Sequence, residues 1–448
     1  MINKFKPISI SLSPNVQKDD VRLALRLLFQ PWKWKNPSAG GSGQVGNAIK
    51  ELEDNFKKYL GVKYAFSFNS GRSSFFAILK SLNLKNKDSV LLQAFTCNAV
   101  PNPILWANLN PIYVDCNDNF NIDINDLKSK ILNHKSKIIV VQHTFGLPAN
   151  MDEIVKIANE NNLILIEDCA HALGAEYTSQ SAFANSSGPL RQSSSETSET
   201  KKVGTMGKAS FFSFSRDKVI SSVYGGMAVT NDDEMGKKLE KLQKEFGMPS
   251  NLWILQQLRH PILLNYLILP LYNFLDLGKI FLVFSQWTHF LSKAVSWKEK
   301  RGLKPDYFPK ALPNALAIMA QNQFNKLDSF YNHRKKIAEF YYKELQNSSF
   351  ILPDMVDRQS YLRFPIQHKN AHEIIYEAWN NQNILIGDWY TSPIAPDDTK
   401  IGEMRYKLGS CKNAERLAKI TLNLPTHINI SMDDAKRIIN FLKKWKYA

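Results

Sequence analysis

Cysteine is scarce in this chain of 448 residues: there are four, Cys97, Cys116, Cys169 and Cys411, and no two stand in a CxxC pair. That excludes a disulfide framework and a cysteine zinc site, and it suits a reducing cytoplasm. No metal is expected. The N-terminal residues MINKFKPISISLSP place no long apolar run after their lysines, which is not the pattern of a secretory signal. Acidic residues are outnumbered, 41 against 57 Lys and Arg, for a net charge of +16. Such an excess suits nucleic acid, an anionic membrane surface or phosphorylated substrates. No recognisable nucleic-acid motif accompanies it, so nucleic acid is not an expected partner. Disorder is excluded for most of the chain, because 44% hydrophobic residues supply ample apolar surface for a core.

Between about 63 and 232, short apolar runs alternate with helical patterns. The strand candidates are YAFSF (64–68), SVLLQ (89–93), PIYVD (111–115), KIIVV (137–141), LILIE (163–167), SFFSF (210–214) and GMAVT (226–230). Helical spacing is found at Phe75, Ile78, Leu79 and Leu82, and over 98–107, 124–132 and 150–160. This rhythm predicts an α/β fold, a mainly parallel seven-stranded sheet flanked by helices. Further on, 315–346 reads as helix, YLRFPI (361–366) and NILIG (383–387) as strands, and 432–446 as a terminal helix. The expected organisation is a large domain over 1–250, an apolar and basic helical insertion over 251–312, and a smaller C-terminal α+β domain over 313–448.

Two stretches break the rhythm. Residues 179–200 carry eight serines and almost no large apolar side chain, as a flexible surface loop does. Residues 252–297 are rich in Leu, Ile, Phe and Trp, yet their longest span free of Asp, Glu, Lys and Arg runs only from His260 to Leu275. That is short of the roughly 20 residues a bilayer crossing needs. Either a buried helical hairpin or an interfacial membrane element fits. Between Asn251 and Lys310 eight Lys and Arg face three Asp and Glu, which favours an anionic surface in the second case.

Four short segments carry chemistry. In FNSGRSSFFAIL (68–79) a strand ends and Ser70, Gly71, Arg72 and Ser73 open a helix, so free N–H groups, hydroxyls and a guanidinium form an anion cradle. In LILIEDCAHALGAEY (163–177) Asp168 follows an apolar strand at its carboxyl end, where open α/β sheets place ligands, and His171 lies three residues on. In SFFSFSRDKVISSVYGGM (210–227) Lys218 sits in a polar turn between two strands, with Ser213 nearby; partial burial makes such an amine a nucleophile. QAFTCNAVPNPILWAN (93–108) adds a strand end on the same edge, with Phe95 and Cys97. Each segment alone also has an ordinary structural reading, as a helix cap, a turn or a solvated loop.

Their order resembles fold type I pyridoxal-phosphate enzymes, and most closely the DegT/DnrJ/EryC1/StrS family of sugar aminotransferases. The matching runs are NSGRS (69–73), AFT (94–96), HTFGLPANMD (143–152), IEDCAHALGA (166–175), VGTMGKASFFSF (203–214), DK (217–218), GGMAVTND (225–232) and, later, QFNKLD (323–328) and NLPTH (423–427). The resemblance implies that Lys218 attaches pyridoxal 5'-phosphate and shuttles a proton. It implies that Asp168 holds the pyridinium nitrogen protonated, that Gly71, Arg72, Ser73 and Ser213 bind the phosphate, and that His171 contacts the ring. The family's stacking aromatic is replaced by Cys97, leaving Cys97 or Phe95 to pack there. Its phosphate-loop threonine is replaced by Arg72. Its partner-subunit asparagine has no clear match in 305–317, where Asn314 is a candidate by proximity.

A sister branch that removes a hydroxyl carries histidine in place of the lysine, so Lys218 implies transamination. The expected reaction is ping-pong transfer from glutamate to a nucleotide-linked keto-sugar by a cytoplasmic homodimer, either free or held at the inner membrane face through 252–297. The alternatives are a non-catalytic pyridoxal-phosphate-binding regulator and a sugar enzyme of another reaction type.

Overall fold

The computed structural model describes residues 7–35, 47–179, 190–191, 200–272, 274–356 and 358–445; nearly all of the serine-rich stretch lies outside the described residues. The seven expected strands form one sheet: β1 (Tyr64–Phe68), β2 (Ser89–Gln93), β3 (Asn110–Val114), β4 (Ser136–Gln142), β5 (Ile164–Asp168), β6 (Ala209–Ser213) and β7 (Gly226–Thr230). Their spatial order is β1-β7-β6-β5-β4-β2-β3. β7 runs antiparallel to β1 and β6, and the remaining neighbours are parallel.

Strands of this kind are buried on both faces, and the period of two divides their side chains. Leu91, Ile139, Val141 and Leu165 join one core, while Val90, Leu92, Ile138, Val140 and Ile166 join another. Helices cover both. α1 (Lys18–Leu28) and α2 (Ala48–Leu60) lie on the first core with α6 (Met151–Glu160), whereas α3 (Gly71–Ser81), α4 (Pro101–Trp106) and α7 (Asp233–Phe246) face the second. α5 (Ile124–Asn133) follows β3. Helix starts are set by side-chain caps: Ser70 accepts from Ser73 N–H, Asn150 from Glu153 N–H and Asp232 from Met235 N–H. The helix expected over 98–107 begins three residues later, because Thr96 and Cys97 are drawn into a parallel pairing with Ile394 and Ala395.

Residues 251–305 divide into two unlike halves. α8 (Asn251–Leu263) buries Trp253, Ile254 and Leu258 in the first core, and a π-helical turn (Leu264–Ile268) continues it. α9 (Leu277–Trp287) returns outside it, with Leu277, Ile280, Val283, Phe284 and Trp287 exposed. Neither a fully buried hairpin nor a wholly interfacial element describes the segment. Among the described residues, no helix is long and apolar enough to cross a membrane.

The expected helix over 315–346 is two helices, α10 (Asn314–Phe324) and α11 (Leu327–Leu345). Beyond them β8 (Arg363–Gln367) pairs antiparallel with β9 (Thr421–Pro425), and α12 (Ala371–Asn381), α13 (Lys412–Ile420) and α14 (Met432–Leu442) complete the chain. Ile337, Tyr341, Phe364, Ile374, Leu422 and Ile438 belong to a third core. The start of the chain joins it: Ile8–Ser9 pairs in parallel with Ile384–Leu385, the only strand formed within NILIG.

Candidate active site

The carboxyl ends of β4, β5 and β6 meet in one pocket. Its walls include Gly71, Cys97, Gln142, Asp168, His171, Ser213, Lys218, Trp389 and Tyr390. Strand register alone aligns part of this set, since Asp168 lies opposite Phe211 on one side and Gln142 on the other.

Lys218 is part-buried, with its Nζ 4.8 Å from the centre of the Trp389 ring. Loss of solvent lowers its pKa to about 8, although Cys97, Asp168 and Asp217 pull the other way. An appreciable fraction of the amine is therefore neutral at physiological pH. Asp168 is buried and accepts a hydrogen bond from Ala170 N–H at 3.0 Å. Burial raises its pKa to about 6, so it is a carboxylate at neutral pH. His171 is held below the ordinary histidine range by burial, and then by Lys218 and Arg363. Its Nδ1 accepts from Phe145 N–H at 3.2 Å, which assigns the proton of the neutral ring to Nε2. The ring stacks on Trp389 with centroids 5.3 Å apart.

The anion end is crowded backbone. A Cβ on Gly71 would meet Ser213 Cβ at 2.9 Å, and one on Gly226 would meet Gly71 N at 2.5 Å, so α3 and the adjoining ends of β6 and β7 approach as closely as glycine permits. Ser70, Gly71 and Ser213 line the pocket. Ser73 does not: it is fully buried and donates to Asn69 Oδ1 at 2.7 Å. Phe95 is likewise set back in an aromatic cluster with Phe120, Phe145 and Tyr390, leaving Cys97 at the wall. Asn314 is consumed within its own chain, accepting from Ala48 N–H and donating to Lys33 O.

Arg72 lines the pocket too, but its charge is already paired. It forms a buried ion pair with Glu299 and donates to Ala294 O at 3.1 Å. Glu299 is fully buried and also accepts from Ser296 N–H and the Tyr307 hydroxyl. Removing the guanidinium would strand this carboxylate. Arg72→Ala is therefore expected to cost about 3–5 kcal/mol in urea unfolding; an unchanged midpoint would contradict a buried pair.

Five residues outside the motifs also shape the site. Arg216 is buried over the Tyr224 ring, hydrogen-bonded to Ser292 Oγ, and leaves its Nε without a partner. Arg363 lies 3.4 Å from the Trp389 ring centre and leaves both Nη1 and Nη2 unpartnered. Trp389 itself arrives from a turn between short strands. Ala294 and Val295, beyond α9, close the side near Arg72.

A poised lysine, an acid at a strand end and a glycine-lined anion cradle, on a sheet of this topology, define a fold type I pyridoxal-phosphate enzyme. The residues present fit pyridoxal 5'-phosphate: Lys218 can take its carbonyl and Asp168 its ring nitrogen, and Arg216, whose buried Nε has no partner, lines the same pocket as Gly71 and Ser213. The sequence pattern of the DegT/DnrJ/EryC1/StrS aminotransferase family matches residues 36–257 and 306–443, and the chain belongs to that family. It is a pyridoxal-phosphate-dependent aminotransferase. Residues 258–305 lie between the two matched stretches.

Among relatives, the chain is 34% identical over 188 residues to GDP-perosamine synthase of Escherichia coli O157:H7, covering 42% of this chain and 46% of that one. It is 25% identical to the UDP-4-amino-4,6-dideoxy-N-acetyl-beta-L-altrosamine transaminase of Campylobacter jejuni over 87% of this chain and 88% of the relative. Helicobacter pylori PseC, an aminotransferase of pseudoaminic acid biosynthesis, shares the fold with a TM-score of 0.70 at 21% identity over 98% of this chain and 99% of its own.

Proposed function

We propose that this protein transfers the amino group of glutamate to the keto group of a nucleotide-linked sugar, acting as a homodimer. The observation that carries the reading is Lys218, an amine with pKa about 8 beside the carboxylate of Asp168. The relatives' names, a GDP-sugar synthase and a UDP-sugar transaminase, support the substrate class. Lysine at 218, where a dehydrating branch has histidine, supports amino transfer over deoxygenation.

Bound in this pocket, pyridoxal phosphate supplies a carbonyl for the incoming amine and a ring that withdraws electrons from the substrate carbon. The chain's own groups then divide the work. Asp168 would keep a proton on the ring nitrogen, because its carboxylate has little other compensation for burial. Lys218 Nζ would take and return the proton of the substrate carbon. Backbone N–H groups at the start of α3, with Ser213 and Arg216, would hold the phosphate. His171, neutral and held between Phe145 N–H and Trp389, would contact the ring without adding charge.

Arg363 supports a carboxylate-bearing donor. A buried guanidinium with two free terminal nitrogens lies against the same indole as Lys218, and a charge-assisted bond to a carboxylate satisfies it. Arg363→Gln is expected to raise the KM for glutamate by about 10–100-fold, leaving the KM for the sugar near its original value. Equal effects on both would remove Arg363 from donor binding. Glutamate alone should yield one 2-oxoglutarate per active site in the absence of sugar; none would sink the transaminase reading. A monomer in sedimentation would sink the dimer. A location at the inner face of a membrane belongs to the same reading, and α9 gives it a physical basis.

A further inference from the structure

Helix α9 turns Gly278 and Ser285 inward, packs Phe281 and Leu282 half-buried against Leu264, Ile268 and Leu291, and leaves its other large apolar residues to water. Gly278 and Ser285 are its buried positions. A Cβ on Gly278 would meet Ile268 O at 2.3 Å and the Tyr272 backbone at 2.6 Å, so the helix is pinned closely on the preceding turn. Outward stand Leu277 (44% exposed), Ile280 (61%), Val283 (67%), Phe284 (56%) and Trp287 (75%). Spacings of three and four residues put them on one face. Phe274, Leu275 and Phe290 extend the exposed apolar surface at both ends of the helix. Exposed apolar surface of this extent marks a binding face.

The surroundings identify what binds. Asp276 is the only acid between 252 and 298, and Lys279 pairs with it at 2.8 Å. Arg259 lies over the Phe290 ring at 4.4 Å and Lys279 over Tyr272 at 5.6 Å, while Lys293 is exposed. Tyr266 and Trp297 are exposed nearby. Apolar side chains bordered by cations and amphipathic rings match the boundary between headgroups and acyl chains. A second copy of this face would oppose Arg259, Lys279 and Lys293 with the same cations, and its one acid is already paired. Eleven residues are too few to span.

We infer that α9 lies in the plane of an anionic phospholipid surface, inserting Leu277, Ile280, Val283, Phe284 and Trp287 between headgroups, with Arg259, Lys279 and Lys293 on lipid phosphates. The inference concerns where the enzyme sits and does not depend on its reaction.

The test is co-sedimentation of the full-length holoenzyme with vesicles of phosphatidylethanolamine and phosphatidylglycerol, against vesicles of phosphatidylcholine alone. Binding to the anionic vesicles is expected, weakened by added salt. The triple variant Ile280→Ser, Phe284→Ser, Trp287→Ser should lose it by about tenfold or more. Because these side chains are exposed, the variant's melting temperature and cofactor absorbance should stay as in the wild type. No binding by the wild type, or equal binding by the variant, overturns the inference. A wild type that ignores vesicles while the variant drops to half its sedimenting mass assigns the face to a second copy instead.

Discussion

Lys218→Ala should give a protein that folds normally, lacks the visible absorbance of covalently attached pyridoxal phosphate, and turns over at least about 10⁴-fold more slowly, since attachment and proton transfer are lost together. The Lys218 amine has a pKa near 8 rather than 10.5, because burial disfavours the ammonium form. The sign follows directly: the neutral, nucleophilic form gains as pH rises through about 8. Uptake of cofactor by the apoprotein should therefore accelerate up to that pH and then level off. A plateau reached only near pH 10.5 would mean that Lys218 is solvated as an ordinary surface lysine. Lys218→Arg keeps the charge but offers no usable amine at any accessible pH, and should fail in the same way as alanine.

Asp168→Asn has the second largest expected effect, a fall in kcat of about 10²–10⁴-fold with the cofactor still attached. In the proposed mechanism the carboxylate stabilises a protonated ring nitrogen, and an amide cannot carry the compensating charge. Burial raises the pKa of Asp168 to about 6, so the charged form is present above that value and lost as pH falls through it. The wild-type rate should decline below about pH 6, and the asparagine variant should lack that acid limb. An unchanged acid limb in the variant would assign it to another group. Retention of near-full kcat would remove Asp168 from the electronic part of the mechanism.

Much of the sheet was legible because its strands are buried on both faces and therefore read as unbroken apolar runs. Their ends fell within a residue or so of the runs. The helix expected from 98 was shortened by a pairing between Thr96–Cys97 and Ile394–Ala395, and no local pattern announces a partner three hundred residues away. Lys218, Asp168, Gly71, Arg72, Ser213, Cys97 and His171, read from separate motifs, line one pocket. Ser73 and Phe95 stand behind the wall, since the first hydrogen-bonds Asn69 and the second joins an aromatic cluster.

Arg363 did carry a signal: a cation in the apolar run YLRFPI, on a strand whose five residues are all buried, needs a charged ligand or partner. The division of the insertion was also latent, in the spacing of Gly278 and Ser285 against the large residues between them. What sequence could not supply was the return of Ala294 and Val295 to the pocket, or of Glu299 to Arg72, because Arg72 and Glu299 are more than two hundred residues apart.

Nitrogen-15 transfer tests the central claim most directly. The holoenzyme would be incubated with [15N]glutamate and a panel of nucleotide-linked keto-sugars, and the products analysed by mass spectrometry. The account predicts that one sugar acquires the label on the former carbonyl carbon, with one 2-oxoglutarate released per labelled sugar. Label retained in glutamate, with the sugars unchanged or with one of them losing a hydroxyl instead, would contradict it.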